Sequence, residues 1–337
     1  MSSKIQFLFP NLFTKHCRNF LDDSAQAKLL ELFTLISRSK KQQSITIHQW
    51  LSSHFNIEVE YLNSAKMMAV GEGLLSSTEN DSNYWLRADP VMLSPTHNGI
   101  LCRGNRVLNL TKDERLSIEK IINDYLNEQS MKLILINSSQ GYLTVKEPLD
   151  CEFSPLLDVV GQDITHRLPK GSKSKYWHTI LTDLQMLLHG CEVNRQRQEK
   201  QQPEISGFWI WAETDNIIQP VNANVSELQL FTDDTALAGA LGISTNLSSL
   251  PESFNQEQYI KNSIINVSEF SEAYHQNDME GWQLLFQKWV INWLLPAIKS
   301  VDKKQLNEII LQTDDGYCYR YNHLSKWCLW RNHFVSK

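Results

Sequence analysis

Apolar residues along this chain follow two alternating rhythms. Short apolar runs at positions 5–9, 84–93, 133–136, 142–145, 228–231 and 264–267 predict strands. Between them, apolar residues recur at helical spacing. Leu29, Phe33 and Ile36 share a face behind the capping side chains Asp22, Asp23 and Ser24. Thr111-x-x-Glu114 forms a capping box ahead of Ile118, Ile121, Ile122 and Tyr125. Trp177, Ile180, Leu181, Leu184, Leu187 and Leu188 mark a long helix that Gly190 stops. The clearest helix places Trp282, Leu285, Phe286, Trp289, Val290 and Trp293 on one stripe, and Pro296 is expected to end it. Further helices are predicted over 47–55 and 236–241, and the polar, basic stretch 37–44 reads as a loop. Residues 138–141 turn a hairpin, and two short strands with a short Trp-rich helix close the chain. Strands alternating with helices predict an α/β fold.

A chain of 337 residues suits one large domain or two, and the turn-rich stretch 76–83 is the best candidate boundary. Hydrophobic residues at 42% and charged residues at 21% place the chain among ordinary soluble globular proteins. Its net charge of −6 argues against broad nucleic-acid binding, which favours a basic surface. The six cysteines include no Cys-x-x-Cys pair, so reduced thiols in a cytoplasmic protein are expected. The apolar patch 5–9 is broken by Pro10 and is too short for a signal-peptide core, and no stretch is long enough to predict a membrane helix.

Candidate chemistry is concentrated in two places. Opposite the apolar face of the Trp177 helix lie His178, Thr182, Gln185 and His189, which read as a pocket wall or as a solvated face. Asn194, Arg195 and Arg197 follow, and an arginine fork suits phosphate or carboxylate. Arg87 and Asp89, two apart on a strand, point to one side; they make either an anion clamp or a structural pair. Metal chemistry has little support. The ten His include no His-x-x-x-His, and Glu272, His275 and Asp278, with Asp314 and Asp315 beyond, fall short of a two-metal set. No Gly-x-Gly-x-x-Gly, Walker or Gly-x-Ser-x-Gly pattern occurs.

Several short motifs, in order, resemble the RpfE-type regulatory-protein family of proteobacteria, itself related to the archaeal-type cofactor-independent phosphoglycerate mutases of the alkaline-phosphatase superfamily. They are Trp85-Leu86-Arg87-Ala88-Asp89-Pro90-Val91, Val160-Gly161-Gln162-Asp163-Ile164, Leu168-Pro169-x-Gly171, Gln185-Met186-Leu187-Leu188-His189, Val193-Asn194 with Arg197, and Trp209-x-Trp211. Asp278-x-x-x-Trp282 and Trp327-x-x-Trp330-Arg331 also fit. The resemblance implies a phosphoglycerate-mutase-like α/β sheet with flanking helices, formed by residues 1–83 and 213–337. It implies an inserted α+β substrate-type subdomain over 84–212, with Arg87, Asp89, His189, Asn194 and Arg197 holding an anion such as a small phosphorylated acid.

The chain departs from the mutase pattern at its chemical positions. The first strand, where the mutases carry a metal-binding Asp, reads Phe7-Leu8-Phe9-Pro10-Asn11. Asn63-Ser64-Ala65-Lys66 stands near an expected Gly-Ser-Asp, Ser271-Glu272-Ala273-Tyr274-His275 replaces Asp-Glu-Ala-Gly-His, and Asp315-Gly316 replaces a final Asp-His. Within the RpfE type, Asp183 stands where Glu is expected, and Ala212-Glu213-Thr214 replaces a Gly-rich stretch. The expectation is a catalytically degenerate, regulatory or ligand-binding protein with no catalytic residues, metal or cofactor. Two alternatives stay open, an active phosphomutase or phosphatase with unusual ligands and a protein-interaction scaffold. A protein partner is compatible with the reading; nucleic acid and membrane are not expected.

Overall fold

The computed structural model describes residues 4–13, 21–43, 65–75, 82–97, 99–211, 229–233, 247, 250–254, 263–275, 278–313 and 317–328. In chain order the elements begin with β1 (Lys4–Leu8), α1 (Asp23–Ser37), β2 (Lys40–Gln43), α2 (Ala65–Gly71), β3 (Tyr84–Thr96), β4 (Gly99–Gly104) and α3 (Lys112–Leu126). Next come β5 (Met131–Leu135), β6 (Gly141–Val145), β7 (Cys151–Glu152), β8 (Lys170–Gly171), α4 (Ser174–His189), α5 (Glu192–Glu199) and β9 (Gly207–Trp211). Then follow β10 (Gln229–Thr232), β11 (Ser263–Asn266), α6 (Glu269–His275), α7 (Met279–Leu285), a π-helical segment (Phe286–Leu294), α8 (Leu295–Asp302), β12 (Glu308–Gln312) and β13 (Tyr317–Asn322). The architecture is mixed α/β. The chain divides into two compact units, residues 1–59 with 221–337 and residues 60–220. The helices expected over 47–55 and 236–241, and the closing Trp330, lie outside the described residues.

The first unit is built on a sheet ordered β10-β11-β1-β12-β13-β2. Strands β10, β11, β1 and β12 run parallel, and β13 and β2 are antiparallel additions. One face carries Phe7, Phe9, Phe231, Ile265, Val267, Ile309 and Leu311 into an apolar core. The Trp stripe packs in the same core, with Trp282, Phe286, Trp289, Val290 and Trp293 all buried. Trp289 lies 6.4 Å from Phe9, and Trp282 lies 5.6 Å from Phe270, in the tilted and edge-on geometries that aromatic quadrupoles favour.

Two sequence expectations change here. Within the 37–44 stretch, Lys40–Gln43 form the edge strand β2, pairing Lys40 with Arg320 and Gln43 with Tyr317. A polar edge strand has no apolar alternation to reveal it, and its lysines discourage further pairing. Pro296 does not end its helix, which continues to Asp302. Proline removes an i→i−4 bond from a helix. The Asn292 carbonyl, four residues before the proline, accepts from the Phe254 backbone N–H at 2.9 Å.

The second unit is an antiparallel sheet ordered β4-β3-β6-β5, with β9 also on β3. The thirteen-residue β3 is its spine. Arg87 lies opposite Tyr142 of β6 and Trp211 of β9, so both edges of β3 are paired at that residue. Leu86, Ala88, Leu133, Leu143 and Ile210 form a core with Ile118 and Ile122 of α3 and Trp177 and Leu184 of α4. Ala65 and Ala69 of α2 join that core, so this unit starts upstream of residue 84.

Candidate functional site

Alternation in β3 places Arg87 and Asp89 on the same side, and they meet. Arg87 Nη2 donates to Asp89 Oδ1 at 2.8 Å and Nη1 donates to the Tyr142 hydroxyl at 3.1 Å, with Glu72 Oε1 at 3.9 Å. The guanidinium also sits 4.7 Å from the Tyr142 ring and 5.7 Å from that of Trp211. Asp89 accepts twice more, from the Gly141 N–H at 3.1 Å and from Trp211 Nε1 at 2.8 Å. Burial works against the charge on Arg87, but Asp89 foremost and Glu72 beside it hold its pKa above the ordinary value. The pair therefore ties β3, β6 and β9 together.

Arg197 and Asn194 belong to a separate network on α5. Arg197 Nε donates to the Pro203 carbonyl at 2.7 Å, Nη1 to Glu114 Oε1 at 2.8 Å, and Nη2 to the Leu108 carbonyl. Glu114 also completes the capping box of α3 by accepting from the Thr111 N–H. Burial opposes its carboxylate, but the bonds from Thr111 and Arg197 keep its pKa low. Asn194 Nδ2 donates to the Leu188 and Ile205 carbonyls at 2.9 and 2.8 Å, and Oδ1 accepts from the Ile205 N–H. That amide closes the end of α4 and fixes the approach to β9. These contacts join neither arginine to the other. His189 is exposed at the end of α4, beside exposed Thr182 and Gln185 along the same helix. His178 lies on that exposed face too, with its ring nitrogen 2.9 Å from the Pro169 carbonyl. Arg195 pairs with Glu192 on the surface.

The first unit gathers polar side chains at the carboxyl ends of its parallel strands, the usual ligand-bearing edge of an open α/β sheet. Asn11, just past β1, adopts φ 59°, a left-handed backbone that Asn tolerates better than most residues. Its amide donates to Ser271 Oγ at 2.9 Å and lies 3.5 Å from His275 Nε2. Ser271 and His275 are one helical turn apart on α6, so the strand end and the helix converge on one half-buried cluster. Next to it, Asp233 follows β10 and accepts from the Ser268 N–H and hydroxyl and the Glu269 N–H, at 2.8, 2.9 and 2.8 Å. Burial pushes the Asp233 carboxyl up to about 6 despite those bonds. Asn266 at the end of β11 donates to Thr232 Oγ1 at 3.0 Å, and Gln312 at the end of β12 is buried beside Leu8.

Sequence reasoning singled out Asn11 and Ser271 where the chain departs from a motif and His275 where it keeps the motif's His, and missed Asp233, Asn266 and Gln312. The signal available was a polar residue closing an apolar strand run. Asp278, grouped in sequence with Glu272 and His275, instead caps α7 by accepting from the Gly281 N–H at 2.9 Å. Among the described residues no three His, Cys, Asp or Glu side chains cluster as metal ligands, and no helix is long and apolar enough to cross a membrane. An amide, a hydroxyl and an imidazole are also a poor donor set for a two-metal centre, which is built on carboxylates.

No protein-family model and no curated protein sequence matches the chain. Among solved structures, the chain is similar to the cofactor-independent phosphoglycerate mutase from Thermoplasma acidophilum DSM 1728 over 96% of this chain and 90% of that one, at 12% identity and a TM-score of 0.39. It is similar to the PH0037 protein from Pyrococcus horikoshii over 95% of this chain and 87% of that one, at 12% identity and a TM-score of 0.44. Likenesses of this degree concern the general course of the backbone; the α/β assignment rests on the strands and helices themselves.

Proposed function

We propose that this protein is a catalytically degenerate, phosphoglycerate-mutase-like regulator that binds a small polar ligand at the carboxyl edge of its parallel strands. The observation that carries this reading is the meeting of Asn11, Ser271 and His275. They come from the two segments where the chain departs from the acidic mutase motifs, and the Asn11 amide meets both of the others. Such a cluster can orient a hydroxyl, carboxylate or phosphate oxygen by hydrogen bonding, and none of its three side chains is a carboxylate. The ligand expected by resemblance is a small phosphorylated acid. Of the residues first expected to hold it, His189 keeps an exposed ring, whereas Arg87, Asp89, Asn194 and Arg197 are engaged inside the protein.

Calorimetric titration with 3-phosphoglycerate, alongside a manganese-dependent mutase assay, tests this reading. Binding heat should appear in the wild type and vanish in Asn11→Ala, with turnover no greater than in a protein-free blank. Robust manganese-dependent turnover would overturn the degenerate reading. Equal heats in both proteins would remove the ligand from this cluster. The scaffold reading draws its support from the internal engagement of Arg87 and Arg197, and it gains if no heat appears at all.

A further inference from the structure

Strand β5 is an outer strand of the second sheet, and its free side is bonded at Leu133 and Leu135 by side chains of one helix. Leu133 N donates to Asn123 Oδ1 at 2.7 Å, and Asn123 Nδ2 donates to the Leu133 carbonyl at 2.9 Å. Leu135 N donates to Glu119 Oε2 at 3.0 Å, and Arg115 Nη1 donates to the Leu135 carbonyl at 3.3 Å. The three side chains stand at i, i+4 and i+8 on α3. Their spacing fits the strand for a geometric reason. Four helical residues advance about 6 Å, and two strand residues advance about 6.8 Å. The step from Glu119 to Asn123 therefore matches the step from Leu135 to Leu133, and the longer Arg115 side chain reaches back to the Leu135 carbonyl. Asn123 supplies both a donor and an acceptor to one residue, as a paired strand residue would. Arg115 and Glu119 together do the same for Leu135.

An unpaired strand edge is a template for another strand. We infer that α3 is a built-in surrogate strand whose Arg115, Glu119 and Asn123 keep the β5 edge from pairing with β5 of a second copy of this chain. The antiparallel fit of such a pair is self-complementary, because a two-fold axis would set Leu133 and Leu135 of one copy against the same segment of the other. The alternating burial of β5, with Lys132 exposed and Leu133 and Leu135 buried, leaves the backbone edge as the contact surface.

The test uses the full chain with Glu119→Leu and Asn123→Leu together, which preserves helix propensity while removing three of the four bonds. Size-exclusion chromatography with light scattering over a hundred-fold concentration range should show a concentration-dependent doubling of mass relative to wild type. Hydrogen exchange should show the Leu133 and Leu135 amides opened at low concentration and protected again at high concentration. Masses identical to wild type throughout, with those amides exchanging equally fast at both concentrations, would overturn the inference. Should the double variant lose its far-ultraviolet helical signal, Asn123→Asp decides. It keeps the acceptor for Leu133 N, loses the donor to the Leu133 carbonyl, and should shift the mass in the same direction at the top of the range. No shift in that variant would count against the inference equally.

Discussion

Two buried polar groups of the second unit, Arg197 and Asn194, and the Asn11 cluster of the first differ in what satisfies them. Arg197, 2% exposed, and Asn194, 1% exposed, bond largely to backbone carbonyls and N–H groups. Asn11, Ser271 and His275 are half-buried and bond side chain to side chain. Deeper in the first sheet, Gln6 is 1% exposed, yet neither atom of its amide hydrogen-bonds to a described residue. Backbone partners are fixed by the fold, so groups that use them are part of its framework. Side-chain partners can rotate away, so a cluster built on them can exchange one partner for a ligand at modest cost. An arginine in a motif is therefore weak evidence of binding until its partners are known.

Variants that remove framework groups should have the largest effects. Arg197→Ala strands Glu114 and two buried carbonyls, and should cost on the order of 3–5 kcal/mol of stability in denaturant unfolding. A loss below about 1 kcal/mol would break the comparison. Asn194→Ala should cost about 1–3 kcal/mol, because both carbonyls and the Ile205 N–H lose their partner. Gln6→Met should go the other way, raising stability by about 1–3 kcal/mol by removing unpaired buried polar atoms at similar volume. A fall in stability would mean that the Gln6 amide is satisfied in solution.

Asp233 sharpens the contrast through pH. Its folded carboxyl, raised by burial to about 6, lies above the unfolded value of about 3.9. The folded state therefore holds more protons between those values. Its contribution to stability is fully present below the unfolded pKa and is lost as pH rises through about 6. Asp233→Asn should flatten that fall in Tm scans from pH 4 to pH 7. An unchanged slope would assign the pH dependence elsewhere. The smallest stability effect is expected for Asn11→Ala, about 0.5–1.5 kcal/mol for the lost bond, together with loss of the calorimetric heat. A loss as large as that of Arg197→Ala would make Asn11 framework too.

Much of this molecule is legible in its sequence where a local rule and burial agree. The Thr111 capping box and the Trp282 to Trp293 stripe read directly, because capping chemistry and helical period name the same residues. Period two on β3 put Arg87 with Asp89, but nothing local says that Tyr142 and Trp211 close around them from opposite strands. Strand β2 escaped because an edge strand buries little and need not alternate. The Asn11 cluster spans 260 residues of sequence between Asn11 and Ser271, and only the parallel sheet brings its parts together. Distance in sequence hid the cluster, and its amide, hydroxyl and imidazole matched no known ligand pattern.

Pro296 has one more consequence. An interior proline is commonly counted as a defect in its helix, yet here the gap works as a socket. The Asn292 carbonyl, four residues before the proline, receives the Phe254 amide, while the Trp293 indole donates to the Pro251 carbonyl and the Phe254 ring lies 5.9 Å from that of Trp293. The helix thus carries an address that the non-helical segment 250–254 reads.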